Sequence, residues 1–145
     1  MPPRLKSVLV VAVLVAAPLF VAGCGQPAAV VEGTVTFEGK PVPEGSISFE
    51  APDGSIPTFG GAIKDGAYRV EVPAGGPARR VVRVVASRLT GRKVPAGPPF
   101  PPGTMLDEIE RAPARYNDRS TLETDLRPGE VTRFDVDIQP DRPKP

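Results

Sequence analysis

Few side chains in this 145-residue chain can do chemistry, and the gaps are as informative as the groups present. There is no histidine and a single cysteine, Cys24. Without His the chain lacks the commonest general base and the commonest metal ligand, and Ser/His/Asp and Cys/His nucleophilic arrangements are excluded by composition. Carboxylates cluster at Asp107, Glu108 and Glu110 and again at Asp135 and Asp137. Neither cluster has the Gly-punctuated loop of alternating oxygens that calcium uses, and no motif supports a two-carboxylate hydrolase. The expectation is a protein that is not an enzyme and uses no metal or cofactor. A formal charge of +1 gives no basic excess for a phosphate backbone, so nucleic acid is not an expected partner.

Three groups remain as candidate binding residues. The Pro-rich stretch Val94 to Met105, preceded by Arg88, Arg92 and Lys93, favours an extended backbone that loses little entropy on docking. Arg92, Lys93, Pro99, Phe100 and Pro101 are its candidate contacts; the alternative is a long crossover loop stiffened by proline and packed on its own sheet. Tyr116, Asn117, Asp118 and Arg119 form a compact polar cluster that could hold a small ligand or carbohydrate. A turn is favoured there, because Asn and Asp satisfy local backbone groups. Arg79, Arg80, Arg83, Arg88, Arg92 and Lys93 form the densest basic region; they could face an anionic headgroup or acidic polymer, but charges alternating along a strand usually form a solvated face.

What positions these groups begins with the N-terminus. Arg4 and Lys6 precede an uncharged run from Val8 to Ala22, the layout of a signal peptide. The run is shorter than the roughly 20 residues that span a bilayer as a helix, and Pro18 interrupts it. It ends Val21-Ala22-Gly23-Cys24, which resembles the lipobox of bacterial lipoproteins: an aliphatic residue, two small residues that admit a peptidase, then the sulfur that carries a thioether-linked diacylglycerol. Acyl chains such as palmitate gain about 0.8 kcal/mol per buried CH₂, so Cys24 is expected to anchor the mature chain in an envelope membrane. Gly25 stands where an Asp would favour inner-membrane retention, which favours the outer membrane. Loss of Arg4 and Lys6 leaves a formal charge of −1, with no electrostatic attraction to anionic lipid. Residues 1–23 are thus assigned to the signal peptide, 24–29 to the lipidated Cys and a short tether, 30–140 to one domain and 141–145 to a frayed tail. A tether to Ala29 reaches about 17 Å when extended, which holds the domain close to the membrane.

Within the domain, 20 Pro and 15 Gly argue for many turns. Val31, Gly33, Val35 and Phe37 alternate with Glu32, Thr34, Thr36 and Glu38, the pattern of a half-buried strand. Ser46 to Glu50 follows the turn Gly39 to Gly45. Thr58 to Lys64 and Tyr68 to Val72 flank Asp65-Gly66, a pair suited to a type I′ hairpin. Val81 to Ala86, apolar except for Arg83, reads as a central strand covered on both sides or paired deep in a sandwich. Leu89 to Ala112 reads as irregular, with a helical turn or two only at Met105 to Arg111. Order returns at Ala114 to Tyr116, Thr121 to Leu126 and Val131 to Ile138, with Pro128-Gly129 as the last hairpin turn. The expected fold is all-β, a seven-stranded immunoglobulin- or prealbumin-like β-sandwich.

Gly33-Thr34-Val35-Thr36-Phe37, Gly39-Lys40-Pro41-Val42, Gly45-Ser46-Ile47-Ser48-Phe49 and Asp65-Gly66-Ala67-Tyr68 resemble the opening of transthyretin-like, or carboxypeptidase regulatory-like, domains. Thr90 to Pro95, Pro102-Gly103-Thr104-Met105 and Pro113 to Leu122 are similar to a subgroup of small lipoproteins abundant in planctomycete bacteria. The resemblance implies a seven-stranded prealbumin-like sandwich and no catalytic residues. The chain departs from it at Gly76 to Val81, where many relatives have Gly-x-Tyr entering the strand. Three functions are compatible with this reading: a non-enzymatic envelope module that binds a protein or polymer, a structural lipoprotein that associates with copies of itself, and a small-ligand carrier.

Overall fold

The structure, a computed structural model, describes residues 25–141. The expected signal peptide, Cys24 and most of the expected tail lie outside the described residues. Ten strand segments follow one another: β1 (Ala29–Phe37), β2 (Lys40–Pro41), β3 (Glu44–Glu50), β4 (Phe59–Lys64), β5 (Ala67–Val72), β6 (Arg79–Pro95), β7 (Met105–Arg111), β8 (Glu123–Asp125), β9 (Val131–Arg133) and β10 (Val136–Ile138). The all-β expectation holds. The count of seven does not: seven segments run in the order β10-β1-β5-β4-β3-β6-β7, and β2, β8 and β9 pair beside that path.

The alternation in β1 becomes structure directly, with Val31, Val35 and Phe37 buried and Thr34 exposed. The same period drives Ile47 and Phe49 of β3, Tyr68, Val70 and Val72 of β5, and Val82 and Val84 of β6 into one core with Ile63, Leu126 and Ile138. Each such side chain gains about 1.5–3 kcal/mol on leaving water, so the curl of the sheet around this cluster is the main source of stability. Both tight hairpins have positive φ at their two central residues: Glu38 and Gly39 at 49° and 76°, Asp65 and Gly66 at 49° and 80°. That is the twist a two-residue hairpin requires. At Gly66 space adds to the constraint, because a Cβ there would stand 2.8 Å from Pro41 Cβ.

Three expectations are corrected here. Leu89 to Ala112 is mostly ordered, and Met105 to Arg111 is a strand, not helical turns. β6 runs on for nine residues after Ala86, its last partner in β3, and pairs there with β7. The alternation of Met105, Asp107, Ile109 and Arg111 against Leu106, Glu108 and Glu110 carries no simple apolar/polar contrast, because the ribbon covers no core. Its five prolines are confined to residues 95–102 around the tip. Pro128-Gly129 also fails as a hairpin turn: β8 before it pairs with β6, and β9 after it pairs with β1.

β9 and β10 run parallel to β1, interrupted at Phe134–Asp135 opposite Gly33. The interruption has an identifiable cause. The Phe134 carbonyl turns toward β1, so that a Cβ on Gly33 would lie 2.1 Å from its oxygen. That oxygen accepts from the Tyr68 hydroxyl at 2.5 Å, while Phe134 N–H donates to Glu32 O at 3.0 Å. Burial, and then the charge of Asp135, push the Tyr68 phenol above its usual range and keep it a donor. The ladder bonds missing here are replaced by carboxylates. Asp135 accepts from Thr34 N–H at 2.7 Å and Thr34 Oγ1 at 2.9 Å; Asp137 accepts from Thr36 Oγ1 at 2.6 Å and Gly39 N–H at 2.9 Å.

Strand directions fix two poles. β1 starts, β5 ends and β6 starts at one pole, close to Gly25, the residue after Cys24. β1 ends and β3 starts at the other, and β6 passes beyond it.

Candidate functional site

Pairing of β6 with β7 turns the stretch that reads as a loop into a two-stranded arm, whose free part extends at most about 30 Å past the body at 3.3 Å per residue. Arg92, Lys93, Pro99, Phe100 and Pro101 all belong to it. The two cations are not free: Arg92 Nε donates to Glu108 at 2.8 Å and Lys93 Nζ to Asp107 at 2.9 Å. Thr90 Oγ1 also donates to Glu108, at 2.6 Å, across a register shift between Leu89 and Lys93. That hydroxyl, followed by Arg92, holds the Glu108 carboxyl below the usual range. Phe100 stands half-exposed at the tip.

The arm has two unlike faces. On one, Arg88 pairs with Glu38 and Glu110, and its guanidinium carbon lies 4.1 Å from the centroid of the Phe37 ring. Burial works against the Arg88 charge, but the hydrogen bonds to Glu38 and Glu110 outweigh it and raise its affinity for the proton. Thr90, Glu108 and Arg92 extend this polar network outward. On the other face, register places Leu89 beside Ile109, then the Lys93–Asp107 ion pair, with Met105 further along β7 and Val85 at the root of the arm, while exposed Val94 and Leu106 oppose each other on the Arg88 side near the tip. Val85, Leu89, Met105 and Ile109 are all exposed, Leu89 by 65% and Ile109 by 59%. At the root, a cleft of about 500 Å³ runs between β3 and the end of β7, lined by Gly45, Ser46, Val85, Ser87, Arg111 and Asn117 among others.

Tyr116, Asn117 and Arg119 lie elsewhere. Ala114–Tyr116 forms a single 3-10 turn against the middle of β6, where Asn117 O accepts from Arg83 Nη1 at 2.8 Å and Arg119 N–H donates to Ala114 O at 2.8 Å. The Tyr116 hydroxyl accepts from Gln139 N–H at 3.0 Å and fastens the end of β10. These residues form the turn that the sequence favours, and only Asn117 reaches the cleft. The basic region is likewise neutralised: Arg79 faces Glu123 and Arg83 faces Glu50. Arg80 alone among them is buried. Among the described residues no group of three or more acidic, Cys or His side chains is placed to hold a metal.

The reading of residues alone misses the arm's apolar face, the cleft and the burial of Arg80. The parity of Arg80 with Val82 and Val84 was the available signal for the last.

No protein-family model matches the chain, and no curated protein matches it. Among solved structures, a 9R-lipoxygenase from Cyanothece PCC8801 is similar at a TM-score of 0.36 and 9% identity, covering 79% of this chain. The chain spans 16% of that protein's length.

Proposed function

We propose that this chain is a lipoprotein, anchored in the outer membrane of a bacterial envelope through Cys24, whose non-catalytic domain binds an envelope protein or polymer through the β6–β7 arm. The observation that carries this reading is the unlike pair of faces on the arm. A ribbon that only bridged parts of its own fold would bury its apolar side, yet Val85, Leu89, Met105 and Ile109 face solvent while the opposite side is tied down by Arg88, Glu108 and Glu110. The Leu89–Ile109 pair, flanked on the same face by the Ser87–Arg111 and Lys93–Asp107 partners, is exposed apolar surface of the kind that marks interaction sites, and β7 also offers, among the described residues, an unpaired strand edge for β-augmentation. The body follows a transthyretin-like sandwich in this proposal, with the curled sheet folding over its own core. Strand direction supports the display geometry: Gly25 lies at one pole and the arm leaves from the other, so a lipid on Cys24 directs the tip away from the bilayer.

A photo-reactive residue at Phe100 or Ile109, introduced in intact cells, tests the interaction. Capture of one dominant envelope protein or polymer, lost on the double change Leu89→Thr and Ile109→Thr, is the expected result. Equal capture from Glu110 on the opposite face, or capture of nothing discrete, overturns it; capture of the same chain alone replaces it with self-association. Replacing Cys24 by Ser is expected to move the protein out of the membrane fraction, and retention there would refute the anchor.

A further inference from the structure

Arg80 is the one charged residue that the fold buries among the described residues, at 3% exposure. Its place on β6 puts it on the inward face with Val82 and Val84. It forms no ion pair among the described residues, whereas Arg79, Arg83, Arg88, Arg92 and Lys93 all do. A guanidinium has five N–H donors and stays charged at any pH a protein survives. Here Nη1 reaches Arg79 O at 3.3 Å and Nη2 reaches Gly75 O at 3.1 Å, while Nε has no acceptor. Asp53 acts on Arg80 only through space; its carboxylate is exposed and accepts from Ser55 N–H at 3.0 Å.

The side chain does not end in solid packing. It lines a cleft of about 70 Å³ at the pole near Gly25, between the loop Pro73 to Ala78 and the side chains of Ala29, Leu126 and Pro128. The loop is held in place, since a Cβ on Gly76 would come within 2.9 Å of Ile56 Cγ2. A cleft of this size admits one small ion or a pair of waters, and dipoles alone compensate a desolvated cation poorly. We propose that this cleft is a binding site for a small monoanion, chloride or a carboxylate group, held on the Arg80 guanidinium. A carboxylate would use two of the free donors side by side, the fork geometry that arginine favours.

The test is thermal unfolding of the full chain in non-ionic detergent at constant ionic strength, exchanging gluconate, which is too large for the cleft, for chloride, formate or acetate. Saturable stabilisation is expected, with the folding equilibrium shifted about elevenfold at ten times Kd, together with broadening of the ³⁵Cl⁻ resonance by the protein. A response to chloride alone identifies a halide site, and a stronger response to formate or acetate identifies a carboxylate site; both support the proposal. The variant Arg80→Met should lose the response. If that variant does not fold, the wild-type titration and the chloride linewidth decide. No saturable response of the wild type to any of the three anions overturns the proposal, as does a response that survives Arg80→Met. A response that appears only in Asp53→Asn also overturns it, by making Asp53 the counter-ion.

Discussion

Replacing Gly33 by Ala should separate the C-terminal strands from β1. The added Cβ would start 2.1 Å from Phe134 O, so the carbonyl must retreat by nearly 1 Å before the contact becomes tolerable. That movement takes the oxygen out of reach of the Tyr68 hydroxyl and strains the bond from Phe134 N–H to Glu32 O. Each is worth about 1 kcal/mol net, and displacement of the half-buried Phe134 ring from the core adds a further amount of about 1 kcal/mol. The stiffer unfolded chain returns about 0.4–1 kcal/mol. The net loss is about 2 kcal/mol, or about 1 M in urea midpoint for a slope near 2 kcal/mol/M. A double-mutant cycle sharpens the test. Tyr68→Phe keeps the ring against Phe49, 6.3 Å between centroids, and should cost about 1 kcal/mol in the parent but almost nothing once Gly33 is Ala. Additive effects, or a Gly33→Ala variant within about 0.5 kcal/mol of the parent, would show that the Phe134 carbonyl is not the obstacle.

The double change Leu89→Thr and Ile109→Thr should leave the thermal midpoint almost unchanged, within about 0.5 kcal/mol in stability, because both side chains face solvent; a larger loss would mean that the arm folds back on the body. Asp135 is held below the usual carboxylate range by Arg133 and Thr34, and Asp137 by Thr36 and Gly39. A depressed folded value stabilises above the unfolded value of about 3.9 and is lost as pH falls through the folded one. The urea-midpoint gap between the parent and an Asp135→Asn, Asp137→Asn variant should therefore be full above about pH 5 and close below about pH 4; a gap independent of pH refutes the charge-based account. Gly66→Ala combines a left-handed φ with a 2.8 Å approach to Pro41 and should cost at least about 1–2 kcal/mol in urea unfolding.

The body of the domain was legible where burial imposes period two. The alternations in β1, β3 and β5 point to the core residues found, and Asp65-Gly66 specifies its own turn through φ. The arm was not legible, because a ribbon that covers no core has no apolar/polar alternation to read; its strand pairing is written in cross-strand partners such as Arg88 with Glu110 and Lys93 with Asp107, which become neighbours only after folding. The break between β9 and β10 was hidden for a related reason. Gly33 reads as one more inward position of a strand until the Phe134 carbonyl, 101 residues along the chain, is set beside it. The candidate contacts divided in the same way: Phe100 and its flanking prolines share the arm tip, whereas Tyr116 and Arg119 serve a turn whose local chemistry was already visible in Asn117 and Asp118.

The parallel pairing of β1 with β9 and β10 has a consequence for the order in which this chain can fold. The first described strand to emerge during synthesis finds its outer neighbours only in the last ones, about 100 residues later, whereas β3, β4 and β5 join through short connections. Closing so long a loop costs entropy before any contact repays it and slows folding. Until Ile138 has been added to the chain, Val35 and Phe37 keep one edge of their strand open. The domain thus stays unfinished, one side of its first described strand unpaired, until almost the whole of it has been made.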